Sequence, residues 1–554
     1  MMDYPIWPRV KEFRKAEGSL QLTKLRVFAI GGGDLFFSFL EEFFPNCWEK
    51  ANYDNANIRL SVSGSYSPYL EFCSLRVRET GIEIHCRDEA GARNAAAILA
   101  QLAHNNEDGW AFPLGDIRDW PDAQYRAFMV ESSGRVWIDM ETIRRHIRNM
   151  ALCRMNVLQF HFMEDPGCTV PLECSPNLKG FGPENKKFTR QEVTDMIAYA
   201  GSLGIRVTPF IEVLSHAADF ALQEGLVCPG DNLENLYDVC LGQEKTFQAI
   251  EKVVREVAEL FPDGTIHIGA DEYDMSRVTP YTAHWMECPH CRAVMAEKGF
   301  TSLRELFLYG IARINRIVNS AGKVMMMWNA DLHPGHLPED LDRNILLHYY
   351  RYCSDLGREN IYHLHMDRYA DEGFSVINSY YPQTYMDLPD YMSAEKLTSW
   401  SYRNDPLVSK RNRALVPGGC LCAWEEFSHY DRTVAPAIAL FADRLWNAHG
   451  DAATDPEATG KALTRVIFEK KLPKDMDVFA CIGDVLPPLE NEKMAHLPMI
   501  HASLETMETA RAALAQLGGP LAAAYEKAIA WAMAEKEKET GYTGPQKERI
   551  SFKG

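Results

Sequence analysis

The feature that most constrains the fold is the alternation of short apolar segments with amphipathic ones between Tyr125 and Trp446. Repeated strand and helix units of this kind predict a parallel sheet. A closed (β/α)8 barrel needs eight such units and about 250 residues, which this stretch can supply. The eight strand-like segments are residues 127–132, 156–163, 206–212, 266–272, 324–331, 345–352, 375–382 and 420–426.

The rest of the chain divides around this barrel. Residues 25–30, 58–62 and 81–86 read as strands, and 90–102 as a helix rich in small residues. Gly31-Gly32-Gly33 has neither GxGxxG spacing nor a following Lys-Ser/Thr, so we interpret it as a turn. We therefore expect an α/β fold, with a small α/β domain over residues 1–120, a TIM barrel over 121–450 and a helical region over 451–554. The Ala-rich segment 500–539 is expected to pack internally or to form a homo-oligomer contact.

Composition narrows the classes of partner. The net charge of -19 argues against nucleic acid and against an anionic membrane, because both would need clustered Lys and Arg. No stretch reaches the roughly 18 apolar residues of a spanning helix, and the amino terminus lacks a basic region followed by an apolar core. We therefore expect a cytoplasmic protein.

The cysteines favour reduced thiols. The 14 cysteines are scattered, without a dense disulfide framework. Cys288-Pro289-His290-Cys291, with His284 nearby, could be half of a zinc site, but four ligands are required and no second CxxC pair exists. We therefore predict free thiols at a loop or helix start, with no metal and no cofactor. Loss of activity on chelation would overturn that prediction.

The segment Thr265–Tyr273 ends in two adjacent carboxylates, Asp271 and Glu272. Alone, such a pair is most often a solvated loop start. In a barrel, however, the carboxyl ends of all eight strands form one surface, and here they carry acids and aromatic rings together. Aromatic faces cover sugar C–H groups and carboxylates accept sugar hydroxyls, so this surface predicts carbohydrate binding. The residues at or just after strand ends are Ser132, His161, Glu164, Glu212, Asp271, Glu272, Trp328, Asp331, Tyr381, Tyr385, Asp387, Trp424 and Glu426.

Eight segments of the barrel region carry motifs in a fixed order. They are Tyr125–Ser133, Met155–Asp165, Thr208–His216, His267–Glu272, Met327-Trp328, Tyr385–Asp387, Gly418–Glu426 and Arg444–Trp446. This order of motifs, in register from about Gly81 to Trp446, resembles glycoside hydrolase family 20, the β-N-acetylhexosaminidases. The third motif is looser than the others, and Ala270 stands where the family's H-x-G-G-D-E has a glycine.

The resemblance implies a retaining glycosidase that removes terminal β-linked N-acetylhexosamine with the help of the substrate's own acetamido group. Glu272 would protonate the leaving oxygen and later activate water. Asp271 would hold the acetamido N–H so that its carbonyl oxygen attacks C1.

The resemblance also implies contacts for the remaining site residues. Tyr385 would donate to the acetamido carbonyl, and Arg126 would hold the 3- and 4-hydroxyls. Asp387 and Glu426 would take the 4- and 6-hydroxyls. His161, Trp328 and Trp424 complete the expected pocket, and His216 either tunes Glu272 through a hydrogen bond or is structural.

Two departures from the family pattern leave the preference between GlcNAc and GalNAc open. Glu164 replaces the usual Asp, and His348–Arg351 stands where the family supplies a tryptophan. The alternatives are a hydrolase for a modified, for example sulfated, aminosugar and a non-catalytic glycan-binding protein on the same barrel. Retention of both Asp271 and Glu272 speaks against the latter.

Overall fold

The structure is a computed structural model. It describes residues 6–106, 109–165, 167–229, 237–273, 284–329, 332, 334–339, 341–350, 366–386, 394–403, 408–424, 430–448, 456–468, 471–473, 476–481 and 502–540. Two compact units are present: residues 1–427 with 437–452, and residues 428–436 with 453–554.

A mixed sheet forms the amino-terminal part of the first unit. The strand order is β1-β8-β5-β6-β4-β2-β3, with β7 paired to β8. The predicted strands and helix of this region are all present. The elements are β1 (Glu12–Leu22), β2 (Leu25–Ile30), α1 (Asp34–Phe43), β3 (Trp48–Lys50), β4 (Ile58–Val62), β5 (Cys73–Arg78), β6 (Gly81–Cys86), α2 (Glu89–Leu102), β7 (His104–Asn106) and β8 (Gly109–Asp119).

The three consecutive glycines form the turn between β2 and α1. A Cβ on Gly31 would lie 2.2 Å from the carbonyl oxygen of Val62, so the close approach of the two backbones requires glycine. At the start of α1 the Glu89 carboxylate accepts hydrogen bonds from the N–H groups of Gly33 and Leu35. A protein carboxylate therefore occupies the position where a phosphate would bind.

The predicted barrel is confirmed. Eight parallel strands pair in the order β9-β10-β12-β13-β14-β15-β16-β18, and β18 pairs with β9 to close the ring. Two short strands, β11 and β17, pair at the rim with β10 and β18. The strands are β9 (Tyr125–Glu131), β10 (Val157–Glu164), β11 (Gly167–Cys168), β12 (Arg206–Ile211), β13 (Thr265–His267), β14 (Val324–Trp328), β15 (Leu346–Tyr349), β16 (Ser375–Asn378), β17 (Tyr385–Met386) and β18 (Gly418–Ala423).

Helices connect these strands, and several begin at capping residues visible in the sequence. Asp139 caps α3, while Thr189 with Glu192 and Ser302 with Glu305 form capping boxes at α4 and α8. The helices are α3 (Met140–Leu152), α4 (Arg190–Ser202), α5 (Ala218–Gln223), α6 (Glu244–Leu260), α7 (Pro289–Lys298), α8 (Leu303–Ser320), α9 (Met366–Asp371), α10 (Tyr381–Thr384), α11 (Ala394–Ser399) and α12 (Tyr430–Trp446).

The fourth barrel strand is shorter than predicted. We expected residues 266–272 to be extended, but β13 ends at His267. Gly269, Ala270 and Glu272 have positive φ angles of 67°, 70° and 53°, which end the extended backbone. Asp271 and Glu272 therefore lie on a left-handed turn beyond the strand.

The carboxyl-terminal region is helical, as predicted. Its helices are α13 (Pro456–Ile467), α14 (Leu504–Leu517) and α15 (Gly519–Thr540). None of the helices in the described part of the chain is both long enough and apolar enough to cross a membrane.

A buried ion pair joins the amino-terminal sheet region to the start of β9. The guanidinium of Arg126 donates to Glu71 Oε1 at 3.1 Å and Oε2 at 2.6 Å, and also to the backbone carbonyls of Ala123 and Arg154. Arg126 is fully buried. Although burial opposes it, the charge of Arg126 holds the pKa of Glu71 below its ordinary value.

We predict that Glu71→Ala strongly destabilises the protein, because it leaves the Arg126 guanidinium buried without an acid. Breaking a buried pair in this way costs about 3–5 kcal/mol. The matched control is Glu83→Ala. In the wild-type protein the Glu83 carboxylate is half-exposed and lies 3.4 Å from the guanidinium of Arg76. An exposed pair contributes about 0–1 kcal/mol. Thermal unfolding midpoints measure both changes, and equal midpoints for the two variants would contradict the role assigned to the pair.

Candidate active site

His216 lies at the centre of the acidic groups at the barrel mouth. It follows β12, and its Nδ1 atom lies 3.7 Å from Oε1 of Glu164 and 3.3 Å from Oδ2 of Asp165. On the other side of the ring, Nε2 lies 3.7 Å from Oδ2 of Asp271 and 3.6 Å from Oε2 of Glu272. Four carboxylates from two segments, the end of β10 and the turn after β13, therefore surround one imidazole.

This surrounding charge fixes the protonation state of His216. Burial disfavours the imidazolium, but the charge of Asp271 and hydrogen bonds with Asp165 and Glu272 prevail, raising the pKa of His216 well above its usual value. His216 is therefore a cation at neutral pH, with both ring N–H groups available as donors. The Tyr237 hydroxyl also forms a hydrogen bond with Nε2.

Backbone geometry holds Asp271 and Glu272 in place. The N–H of Ala270 donates to Oε2 of Glu212 at 3.2 Å. A Cβ on Gly269 would lie 1.6 Å from that same oxygen, so this position requires glycine both for space and for its φ of 67°. Ala270 and Glu272 adopt left-handed conformations that cost non-glycine residues about 1–2 kcal/mol each. Such strain is typical of functional sites.

A second layer of acids lies behind the exposed pair. Burial and the charge of Asp271 raise the pKa of Glu212 well above its ordinary value. Burial, reinforced by Glu131, likewise raises the pKa of Glu164. Burial also raises the pKa of Glu131, although its carboxylate accepts the N–H groups of Ser133, Gly134 and Arg135. Raised pKa values let these acids share the mouth because they need not all carry charge at once.

Four aromatic side chains form one wall of the mouth. Trp328, at the end of β14, lies 5.3 Å from Tyr350 and 6.1 Å from both Tyr385 and Trp424, measured between ring centroids. Tyr385 lies 6.0 Å from Trp424 and 6.4 Å from Tyr350. Trp328, Tyr350 and Trp424 are at most 7% exposed, so the four rings form one packed aromatic cluster, and aromatic rings are the groups that cover the C–H face of a sugar.

Stacked rings inside the barrel support this wall. Phe210 stacks on His161 at 3.9 Å and on His267 at 3.8 Å. His348 stacks on Trp328 at 4.0 Å, and its Nδ1 lies 3.2 Å from Nε2 of His267. Burial lowers the pKa of His161 to about 3, and it lowers the pKa values of His267 and His348 well below the ordinary range. The three histidines are therefore neutral packing residues.

Most of the predicted site residues in the described part of the chain come together here. Asp271, Glu272 and His216 are in contact, and Trp328, Tyr385 and Trp424 form the wall. His161 lies beneath the wall, fully buried, with its ring 5.4 Å from that of Trp424. Two predicted residues, Asp387 and Glu426, lie outside the described residues.

The structure corrects the prediction for Arg126. Arg126 is the second residue of β9, at the end of the strand opposite the mouth. All of its described polar contacts are with Glu71 and backbone carbonyls. Its side chain does not reach the site. The motif placed an arginine near the first strand, but the sequence alone did not show at which end of the strand it acts.

Several residues of the site were not predicted, among them Asp165, Tyr350, Arg135 and Tyr237. Arg135 follows β9, and its guanidinium carbon lies 5.4 Å from the centroid of the Trp424 ring, which brings a cation to the mouth. Its position four residues after Glu131, just beyond the carboxyl end of the first barrel strand, was the indication of a site residue that the sequence offered. Tyr237 reaches His216 from the loop between α5 and α6, where the sequence carries no periodicity that could have indicated it.

The chemistry of the mouth follows from its geometry. Asp271 and Glu272 both point at one nitrogen of His216, and the potential ligand atoms of the three residues lie within 4.8 Å of one another. Two carboxylates converging on one point act on the same side of a bound ligand. One can transfer a proton while its neighbour accepts a hydrogen bond, but they do not oppose each other across a bond.

Comparison with known proteins agrees with this geometry. The family described as "Glycosyl hydrolase family 20, catalytic domain" matches residues 124–449. The Beta-hexosaminidase of Vibrio furnissii is 28% identical over 399 residues, covering 65% of this chain and 61% of the relative. The chain thus spans less than two thirds of that relative's length. The Beta-hexosaminidase subunit A1 of Dictyostelium discoideum is 26% identical over 438 residues, covering 75% of this chain and 76% of the relative.

A solved structure shares the fold. The beta-N-acetylhexosaminidase from Bacteroides fragilis NCTC 9343 aligns with a TM-score of 0.73 at 24% identity, covering 84% of this chain and 95% of that one. The family match extends over more than half of the sequence and includes every barrel strand. The chain therefore belongs to glycosyl hydrolase family 20.

Proposed function

We propose that this protein removes terminal β-linked N-acetylhexosamine, GlcNAc or GalNAc, by retaining, substrate-assisted hydrolysis. The observation that carries the proposal is the convergence of Asp271 and Glu272 on one side of an aromatic-walled mouth. Solved relatives support the sugar class, since the Vibrio harveyi and Streptomyces plicatus enzymes were captured with N-acetylglucosamine.

The geometry favours substrate assistance over a protein nucleophile. Most retaining glycosidases place an acid and a nucleophile about 5 Å apart on opposite sides of the scissile bond, and family 20 is among the exceptions. Here the neighbouring Asp271 and Glu272 approach the same nitrogen of His216. The attacking group must then come from elsewhere, and the 2-acetamido oxygen of the sugar supplies it.

The two carboxyls have different roles in this mechanism. Glu272 gives its proton to the glycosidic oxygen as the C1–O bond breaks and the acetamido oxygen bonds to C1. Asp271 accepts the acetamido N–H and stabilises the positive charge of the resulting oxazolinium ring. Glu272, now a carboxylate, takes a proton from water as that water attacks C1. The acetamido oxygen leaves, and the β configuration is restored.

The surrounding residues orient the sugar. Trp328, Tyr350 and Trp424 cover its apolar faces. Burial raises the pKa of Tyr385, so its hydroxyl keeps the proton that it donates to the acetamido carbonyl. The cation His216, whose Nε2 lies 3.7 Å from Oδ2 of Asp271, aligns this carboxylate. We assign the hydroxyl-binding role expected of Arg126 to Arg135 instead, because Arg135 lies at the mouth beside Trp424. Asp387 and Glu426 stay predictions for the 4- and 6-hydroxyls.

We propose a cytoplasmic location and a β-linked N-acetylhexosamine glycan as the binding partner, with neither nucleic acid nor a membrane surface. None of the described cysteines forms a disulfide, which supports a reducing compartment. A homo-oligomer built on the carboxyl-terminal helices stays a proposal. Recovery with the cytoplasmic fraction of the native cells would support this placement, and recovery with secreted proteins would contradict it.

A substrate panel tests the function. We expect turnover of aryl β-GlcNAc or aryl β-GalNAc and almost none of aryl β-glucoside, which lacks the nucleophile. A well-oriented intramolecular group reaches an effective molarity of about 10⁵ M or more, so the glucoside should react at least about 10⁵-fold more slowly. Rapid glucoside cleavage would refute substrate assistance. Preference for the 6-sulfated forms would favour a modified aminosugar, and no turnover of any substrate would favour a glycan-binding protein.

We predict that Glu272→Gln lowers kcat on aryl β-GlcNAc by about 10² to 10⁴-fold, the usual contribution of general acid–base catalysis. The thermal midpoint should change little, because glutamine has nearly the same shape as glutamate and the Glu272 side chain is 29% exposed. Glu251→Gln is the matched control, since its half-exposed carboxylate pairs with Arg255 on α6. Near wild-type kcat for Glu272→Gln would remove this residue from the mechanism.

A further inference from the structure

Four buried cysteines form a cluster outside the sugar site. Cys228 and Cys240 come from the loop between α5 and α6, Cys288 is the N-cap of α7, and Cys291 lies in its first turn. The Cys240 sulfur lies 3.6 Å from that of Cys288 and 3.7 Å from that of Cys291, and the Cys228 and Cys291 sulfurs are 4.0 Å apart. All four sulfurs lie within 4.8 Å of one another.

These distances match a metal site and not disulfides. A disulfide joins two sulfurs at about 2.05 Å, well below every separation here. A tetrahedral Zn²⁺ with Zn–S bonds of about 2.3 Å places its four sulfurs about 3.8 Å apart. We propose that Cys228, Cys240, Cys288 and Cys291 bind one structural zinc ion as thiolates.

This proposal revises the expectation of free thiols at Cys288 and Cys291. That expectation rested on the lack of a second CxxC pair. The fold supplies the missing ligands from Cys228 and Cys240, which are twelve positions apart in sequence and precede Cys288 by 60 and 48 positions. His284 is not a member of the cluster.

The backbone around the cluster is packed closely enough to hold it. A Cβ on Gly242 would lie 2.2 Å from the backbone nitrogen of Cys291, so the loop before α6 presses directly against the start of α7. The indole N–H of Trp285 donates to the carbonyl of Val239 at 2.9 Å, joining the same two segments. These two contacts hold the segments that carry Cys240, Cys288 and Cys291 against each other.

The zinc would serve structure and not chemistry. Four thiolates complete a tetrahedral shell and leave no open position for water or substrate. The ion would instead tie together two loops of the active site. The first carries Tyr237, three residues before Cys240 and in contact with His216. The second carries Glu272 and Tyr273, whose ring stacks on Trp285 at 5.6 Å.

Metal analysis of the purified full-length chain tests this proposal without reference to activity. We expect one zinc per chain by mass spectrometry, and a zinc content close to zero in Cys240→Ser and Cys291→Ser. Cys153→Ser is the matched control, because this buried thiol lies outside the cluster, and it should retain one zinc. Zinc retained at full occupancy in the cluster variants would overturn the assignment.

A second measurement avoids variants that fail to fold. Titration of the wild-type protein with a mercurial thiol reagent should release one zinc as four cysteines react, followed with a colorimetric zinc indicator. Replacement by Co²⁺ should give the intense visible spectrum of a tetrahedral thiolate site. Metal-free protein with four reactive thiols, a disulfide found by mass spectrometry, or bound iron in place of zinc would each overturn the proposal.

Discussion

The attraction between one protonated imidazole and the carboxylates around it holds the active site together. Glu164, Asp165, Asp271 and Glu272 would repel one another at the barrel mouth, and each approaches His216 within 4 Å. The cation lowers the cost of gathering them, and burial raises the pKa values of Glu164 itself and of Glu212 behind it, which lessens the repulsion. His216 itself has a φ of 48°, so the site is held in a strained arrangement that the charges stabilise.

The barrel makes this arrangement rigid. Below the mouth, Phe210 stacks between His161 and His267, and Trp328 stacks on His348. These neutral rings fill the barrel interior and support the aromatic wall from below. Above them, Asp271 and Glu272 lie on a left-handed turn that is anchored on Glu212. A rigid layer thus supports a short, strained segment that carries the chemistry, and the proposed zinc would join its loop to that of Tyr237.

The sequence predicted the parts of the structure that follow from local patterns. All eight barrel strands were recognisable because buried parallel strands are short apolar runs, and Asp271 and Glu272 were identified by their place after the fourth. Contacts between distant segments could not be predicted. Arg126 and Arg135 lie near the same strand, but only the fold shows that one meets Glu71 and the other Trp424. Cys228 and Cys240 likewise join Cys288 only through packing. The fourth strand was predicted to reach Glu272, but it ends at His267, and the left-handed backbone at Gly269 and Ala270 follows it.

In the proposed mechanism, the substrate's own acetamido oxygen attacks C1 while Asp271 and Glu272 assist. Fluorine on the acetyl group withdraws electrons from that oxygen without changing the rest of the sugar. The test is to measure kcat/KM for aryl β-GlcNAc substrates that carry zero to three fluorines on the acetyl group. We expect kcat/KM to fall steeply with each fluorine added. A rate independent of fluorination would contradict it, because the nucleophile would then have to be another group.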